Sequence, residues 1–281
     1  MSAWFSDGAR IDSIPADDRG AQYGDGLFET IAIRDHAPRF RDAHVARLQT
    51  GALRLGLVCP PAELIHTELS AAIGRSGLDS RFATAKLLLT AGRGPRGYQR
   101  ASDSPAMLRI GLFAARPLPA THYRHGVDIR LCTSRLAVQP QLAGLKTLNR
   151  LEQVLARAEW NDSRILEGLM LDTAGRLICG TMSNVFIATE SALVTPAITR
   201  CGVSGIMRGQ LIGLLQAAGV DCTVRDVSLD ELFEADEIFL SNSQLGVVPV
   251  RRCGDHEWAV GACTRQAQAL AAANGVPECR A

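Results

Sequence analysis

Lysine is almost missing from this sequence: of 30 basic residues only Lys86 and Lys146 are lysines, and the rest are arginine. Chemistry that needs a side-chain amine therefore has two candidates. A basic excess is missing too, since the formal net charge is +1, and this argues against nucleic acid or an anionic membrane as the main partner. No run of about 18 apolar residues occurs, and Asp7 and Gly8 stand where a signal peptide would need an apolar stretch, so a cytoplasmic location is expected. The eight cysteines are scattered singly, without a C-x-x-C pair or a Cys/His cluster at zinc spacing, and read as buried thiols in a reducing compartment, with no metal site. Walker, dinucleotide-binding, G-x-S-x-G and H-E-x-x-H signatures are also absent. A small-molecule substrate is the expected partner.

What is present suits a globular protein of two domains: 281 residues, 47% apolar and 21% charged. Periodicity predicts strands over 27–34, 82–90 and 107–114, with helices over 43–55, capped by Asp42, and from Pro60–Pro61 to about Gly77. Two prolines in Arg116-Pro-Leu-Pro-Ala120 favour an extended connection. This places an α+β domain at 1–115, a linker at 116–125, with His122 and His125 on its surface, and a second domain at 126–281. In the second domain we expect strands at 126–133, 166–172, 177–178, 185–188, 237–240 and 247–251. Helices are expected at 148–160, striped by Leu148, Leu151, Val154, Leu155 and Ala158, at 206–218, after the capping box Ser228-Leu-Asp-Glu231, and at 261–273.

Lys146 lies where a loop is predicted to become a helix, and the helix dipole there disfavours an ammonium. A neutral amine suits imine chemistry, although position alone fits an exposed lysine equally well. Lys86, within the strand at 82–90, reads as a lysine with its head at a sheet edge. Val203-Ser-Gly-Ile-Met-Arg208 precedes a helix and could bring backbone N–H groups to a phosphate, or be an ordinary turn. Ser243 and Arg47 could add a hydroxyl and a guanidinium, or be a turn serine and a surface arginine.

Several motifs in order carry a resemblance. They are Asp18-Arg19 with Gln22-Tyr-Gly-Asp-Gly-Leu-Phe-Glu-Thr30, His44-x-x-Arg47-Leu48, Gly144-Leu-Lys-Thr-Leu-Asn-Arg-Leu-Glu152, Thr181-Met-Ser-Asn184-Val-Phe186, Gly205-Ile-Met-Arg208, and Ala235-Asp-Glu237 with Pro249-Val250. Together they resemble the fold-type IV pyridoxal-phosphate enzymes: branched-chain and D-amino acid aminotransferases and 4-amino-4-deoxychorismate lyases. The lyase branch is the most similar, through the segment around Lys146, the loop Arg93-Gly-Pro-Arg-Gly-Tyr98, and Thr30 where the branched-chain aminotransferases have glycine.

The resemblance implies a two-domain α+β / α/β fold like that of D-amino acid aminotransferase, with the smaller domain first, and a homodimer. It implies pyridoxal 5'-phosphate bonded to Lys146, with Arg47, Ile206, Met207 and Ser243 on its phosphate and Arg150 near its ring. Lys146 would also move the substrate's proton with Thr30, and Arg96 and Tyr98 would meet carboxylates. The implied reaction releases pyruvate and 4-aminobenzoate for folate synthesis. The alternatives are an aminotransferase of branched-chain or D-amino acids and a non-catalytic relative. One position departs from the family's pattern: Cys179 stands where a glutamate usually keeps the ring nitrogen protonated, and Glu167 is expected to be too far along the chain to replace it.

Overall fold

The structure, a computed structural model, describes residues 2–101, 105–190 and 192–280. The chain divides into two compact units, Met1–Arg116 with Leu145–Asn149, and Pro117–Gly144 with Arg150–Ala281. The excursion of 145–149 is the feature that a linear reading of domains does not contain.

The first unit runs β1 (Ser2–Ser6), β2 (Ala9–Ile11), α1 (Arg19–Tyr23), β3 (Gly26–Arg34), β4 (Ala37–Pro38), α2 (Arg41–Leu55), α3 (Ala62–Arg75), β5 (Phe82–Thr90) and β6 (Met107–Ala114). Its sheet has the order β2-β1-β6-β5-β3-β4, with antiparallel neighbours throughout. Period-two alternation sends Leu27, Ile31 and Ile33 of β3 into one core with Val45 and Leu48 of α2 and Leu69 of α3. Asp42 does not cap α2. Phe40 occupies that position with a left-handed backbone (φ 50°), and Asp42 lies in the first turn, where a carboxylate still favours the dipole.

Asp18, fully buried, caps α1 by accepting from the backbone of Gly20 and Ala21. It also takes hydrogen bonds from Thr90 Oγ1 (2.9 Å) and from Arg109 Nη2 (2.8 Å), a guanidinium that is itself buried. The first helix is thus held to β5 and β6 by a buried ion pair.

The second unit runs α4 (Ala120–His125), β7 (Val127–Leu136), α5 (Leu151–Arg157), β8 (Ile165–Asp172), β9 (Leu177–Gly180), β10 (Asn184–Thr189), β11 (Ala192–Pro196), α6 (Ile206–Ala217), β12 (Cys222–Arg225), α7 (Leu229–Phe233), β13 (Glu237–Asn242), β14 (Gly246–Cys253), β15 (His256–Glu257) and α8 (Ala262–Ala273). The sheet is mixed, in the order β12-β11-β10-β13-β14-β7-β8-β9 with β15 on β14; β7 is parallel to both its neighbours. The predicted capping box is present on α7.

Two expectations fail here. The stretch read as an extended linker contains α4: Pro119 occupies the N-cap, because a proline that cannot donate suits a helix start as well as a linker. Tyr123 of α4 is buried and its hydroxyl donates to the Leu245 carbonyl, whereas His125 is exposed. The helix expected over 148–160 is the shorter α5, and its apolar stripe lies in the open, with Leu151 76%, Val154 59% and Leu155 63% exposed.

Replacing Arg109 by methionine fills the space but leaves the Asp18 carboxylate buried without its counter-charge. We expect a loss of about 3–5 kcal/mol, read by urea unfolding, and a loss below about 1 kcal/mol would show that the pair is dispensable.

Candidate active site

The segment Leu145–Asn149 forms an extra edge on the first unit's sheet. Phe28 N–H donates to the Lys146 carbonyl (2.9 Å) and Leu148 N–H to the Gly26 carbonyl (3.0 Å), with Leu27 and Thr147 opposite each other. Glycines permit this approach. A Cβ on Gly26 would strike the Leu89 carbonyl and Leu148, and Gly24 has φ +66° with Asn149 packed on it, the asparagine amide donating to the Gly24 carbonyl (3.1 Å). Lys146 is therefore not in the first turn of a helix. Leu151 begins α5, and the dipole argument, which fades within one turn, does not reach the lysine.

Strand alternation places Phe28 and Thr30 on one half-exposed face of β3 and puts Lys86, opposite Thr30 on β5, on that same face. Both lysines meet one ring: Lys146 Nζ lies 4.3 Å and Lys86 Nζ 5.0 Å from the Phe28 centroid. Lys86 is thus on an interior strand rather than a sheet edge, because β5 lies between β6 and β3.

The other face of β3 carries a fully buried carboxylate, Glu29. It accepts from His44 Nδ1 (2.6 Å) and, side-on, from Arg47 Nε (2.7 Å) and Nη2 (2.5 Å). Burial alone would raise the Glu29 pKa, but the hydrogen bonds from His44 and Arg47 outweigh it and hold the carboxyl below its ordinary value. Burial, helped by the charges of Arg47 and Lys146 and opposed by Glu29, lowers the pKa of His44. With Nδ1–H given to Glu29, its buried Nε2 has no hydrogen-bond partner. Arg47 is thus a mostly buried member of an ion cluster, not a surface arginine.

The loop after β5 leaves Arg96 and Tyr98 exposed. It is held from beneath by buried Arg19, which donates to the carbonyls of Gly97 (2.9 Å) and Tyr98 (2.8 Å) and pairs with Asp25 (2.9 Å). Tyr23 accepts from Gly97 N–H, and its ring meets Tyr98 edge-on at 5.6 Å.

In the second unit, Ile206 and Met207 open α6 behind Gly205, where a Cβ would collide with Asn184 Oδ1. Asn184 in turn donates to the Val203 carbonyl (3.0 Å), which fixes the turn into a twelve-residue helix whose first N–H groups have no acceptor within the helix. Arg208 faces inward, bonded to Thr195 and the Pro196 carbonyl. Ser243 lies in the turn between β13 and β14. Cys179, on β9 opposite Met170, is enclosed with Cys132, Trp160 and Cys201, and burial pushes its thiol up to about 12, so it is neutral. Arg150 is near enough to interact with it electrostatically. Glu167, on the neighbouring strand, is committed elsewhere: it accepts from the backbone of Gly168, Thr181 and Met182 and from the hydroxyls of Thr181 (2.5 Å) and Ser183 (2.8 Å). Among the described residues there is no His/Cys/Asp/Glu group able to hold a metal ion, and no helix is long and apolar enough to cross a membrane.

Lys146 and Thr30 thus share one face of the strand, while Arg47 reaches Glu29 from α2, and the charges of Arg47 and Lys146 both act on His44. Sequence reasoning had assigned no role to Glu29 and had dismissed Lys86. The signal for both was an ionisable residue inside an otherwise apolar alternating strand.

Comparison with known proteins defines the class. The family model for amino-transferase class IV matches residues 26–253, and the chain belongs to that family. It is 34% identical over 263 residues to an aminodeoxychorismate lyase of Vibrio harveyi, covering 91% of this chain and 94% of that one. It is 26% identical over 239 residues to a D-alanine aminotransferase of Bacillus licheniformis, with 85% and 82% covered. Among solved structures, 4-amino-4-deoxychorismate lyase from Pseudomonas aeruginosa superposes with a TM-score of 0.89 at 43% identity, covering 96% of this chain and 98% of that one. The Escherichia coli branched-chain amino acid aminotransferase shares the fold, with a TM-score of 0.86 at 22% identity over 98% and 95% of the two chains.

The Glu29–His44 pair sets a direction for acid sensitivity. Unfolded, both groups regain their ordinary values, 4.5 and 6.5, and take up protons that the native state refuses, so stability falls as pH falls. We expect the urea midpoint to drop between pH 7.5 and pH 5, with the upper part of the drop removed in His44→Gln. A midpoint that rises on acidification would contradict the neutral histidine.

Proposed function

We propose that the chain is a pyridoxal-phosphate-dependent lyase that converts 4-amino-4-deoxychorismate to 4-aminobenzoate and pyruvate, in the cytoplasm, for folate synthesis. The observation that carries this reading is the placement of Lys146 Nζ on the half-exposed face shared by Thr30 and Lys86. Similarity to the lyases of Vibrio harveyi and Pseudomonas aeruginosa supports it.

By their chemistry, donors within each unit suit part of the cofactor. Lys146 offers a primary amine to the aldehyde. The first N–H groups of α6 at Ile206 and Met207, the guanidinium of Arg47 and the hydroxyl of Ser243 suit a phosphate. At the ring nitrogen the family's pattern brings Cys179, a neutral thiol, with Arg150 near it. Bound there, pyridoxal phosphate would supply an electron sink for the bond beside the substrate's amine.

The protein's own groups would then divide the work. Lys146 would hold the cofactor through its amine and would carry the proton from the substrate carbon; Thr30 would orient or relay that proton. Arg96 and Tyr98 meet carboxylates of the substrate, and Lys86 brings a further positive charge to the face of Lys146. The carbon–oxygen bond would break with its electron pair on oxygen, the enolpyruvate would take up a proton, matching the one lost from the ring carbon, to become pyruvate, and the ring would become aromatic. Cys179 favours the lyase over an aminotransferase, since a thiol is a poor proton holder for the ring nitrogen, whereas aromatisation gives the electrons another destination. The open stripe Leu151, Val154 and Leu155 on α5, with Met182 also exposed, supports a homodimer that covers it.

Pyruvate release from 4-amino-4-deoxychorismate, coupled to a reductase, tests this reading. We expect turnover in the wild type and a loss of at least about a hundredfold in Lys146→Ala. Absence of pyruvate, together with amino transfer from an added amino acid, would overturn the lyase in favour of an aminotransferase.

A further inference from the structure

Glu29 is a carboxylate inside the apolar core of the first unit, on the face of β3 that also carries Leu27 and Ile31. Burying such a charge costs several kcal/mol unless it is fully paired. Its partners, His44 and Arg47, come from one helix three residues apart, the spacing that puts two side chains on one face. The arginine is gripped by its side-on edge, Nε and Nη2, and this choice has a geometric result. A guanidinium has five N–H groups in one plane, so two are directed at Glu29 and the other three are fixed in directions away from it. His44 is the third member. Kept neutral by burial, it donates from Nδ1 and leaves the cluster with one negative and one positive charge. An arginine in this setting attracts an anion through the direction of its donors rather than through net charge.

We propose that Glu29 is a positioning residue for the phosphate of the cofactor: by holding Arg47 Nε and Nη2, with His44 Nδ1 as a brace, it aims the remaining N–H groups of Arg47 at a phosphate monoester. The proposal rests on the cofactor reading above and adds to it a residue that touches neither cofactor nor substrate. Freezing a long, flexible side chain in advance removes an entropy cost from binding, so losing the carboxylate should weaken the hold on phosphate while sparing the rest of the cofactor.

The test compares two probes that differ only by the phosphate. Wild type and Glu29→Gln are titrated with pyridoxal phosphate and with pyridoxal, following the absorbance of the lysine-bound form. We expect the Kd for pyridoxal phosphate to rise about ten- to a hundredfold in Glu29→Gln, the range of one or two charge-assisted hydrogen bonds, and the Kd for pyridoxal to change less than about twofold. Glu29→Asp, which keeps the charge but withdraws it by one methylene, should lie between the two and serves in its place if Glu29→Gln does not fold. In an Arg47→Lys background the Glu29 substitution should have no further effect. Equal losses for both probes, or no loss for either, would overturn the role of Glu29. A wild type that forms no lysine-bound species with either probe would overturn the cofactor reading itself, which is a separate result.

Discussion

Two backbone hydrogen bonds, from Phe28 to Lys146 and from Leu148 to Gly26, hold the chain at its most consequential point. They make five residues, distant in sequence, into an edge of the first unit's sheet. The pleat then decides where each side chain goes: Lys146 falls on the face of Phe28 and Thr30, and Thr147 falls on the core face, opposite Leu27. A slip by one residue would exchange the two, placing the amine in the apolar core. The close approach at Gly24 and Gly26 makes the register specific, because any side chain at Gly26 would push the segment away. The glycines of the Gly24-Asp-Gly26 motif are thus part of how the lysine is placed.

The charge arrangement of the first unit follows from the same sheet. Among the described residues its buried carboxylates are each answered by arginine: Asp18 by Arg109, Asp25 by Arg19 and Arg100, Glu29 by Arg47. Arginine suits these sites, being permanently charged and able to bond through two edges at once. A chain that uses arginine for its structural cations leaves lysine for positions where an amine is wanted, and both of its lysines lie against Phe28.

Much of this could be read locally. The strands β3, β5 and β6 and the helices α2, α3, α6 and α8 fall within a residue or two of their predicted limits, because alternation, helical period and proline or glycine stops are properties of short segments. The misreadings concern what local pattern does not contain. Lys86 was expected at a sheet edge, but strand order is set by long-range pairing, and β5 is interior. The stripe on α5 shows which residues share a face but not what covers it. Lys146 was placed at a helix start because its pairing partner is far away in the chain. Glu29 was read as one letter of a motif, since only the fold shows that a carboxylate there must be answered from α2. Cys179 is a buried, neutral thiol, as the scattered cysteines were expected to be.

The scarcity of lysine makes the central claim easy to test. The purified protein is reduced with borohydride, which locks a lysine-bound cofactor in place, and its proteolytic peptides are weighed. If the account is right, the mass of reduced pyridoxal phosphate is found on the peptide containing Lys146 and not on the one containing Lys86. Its appearance on Lys86, or on neither, would contradict it.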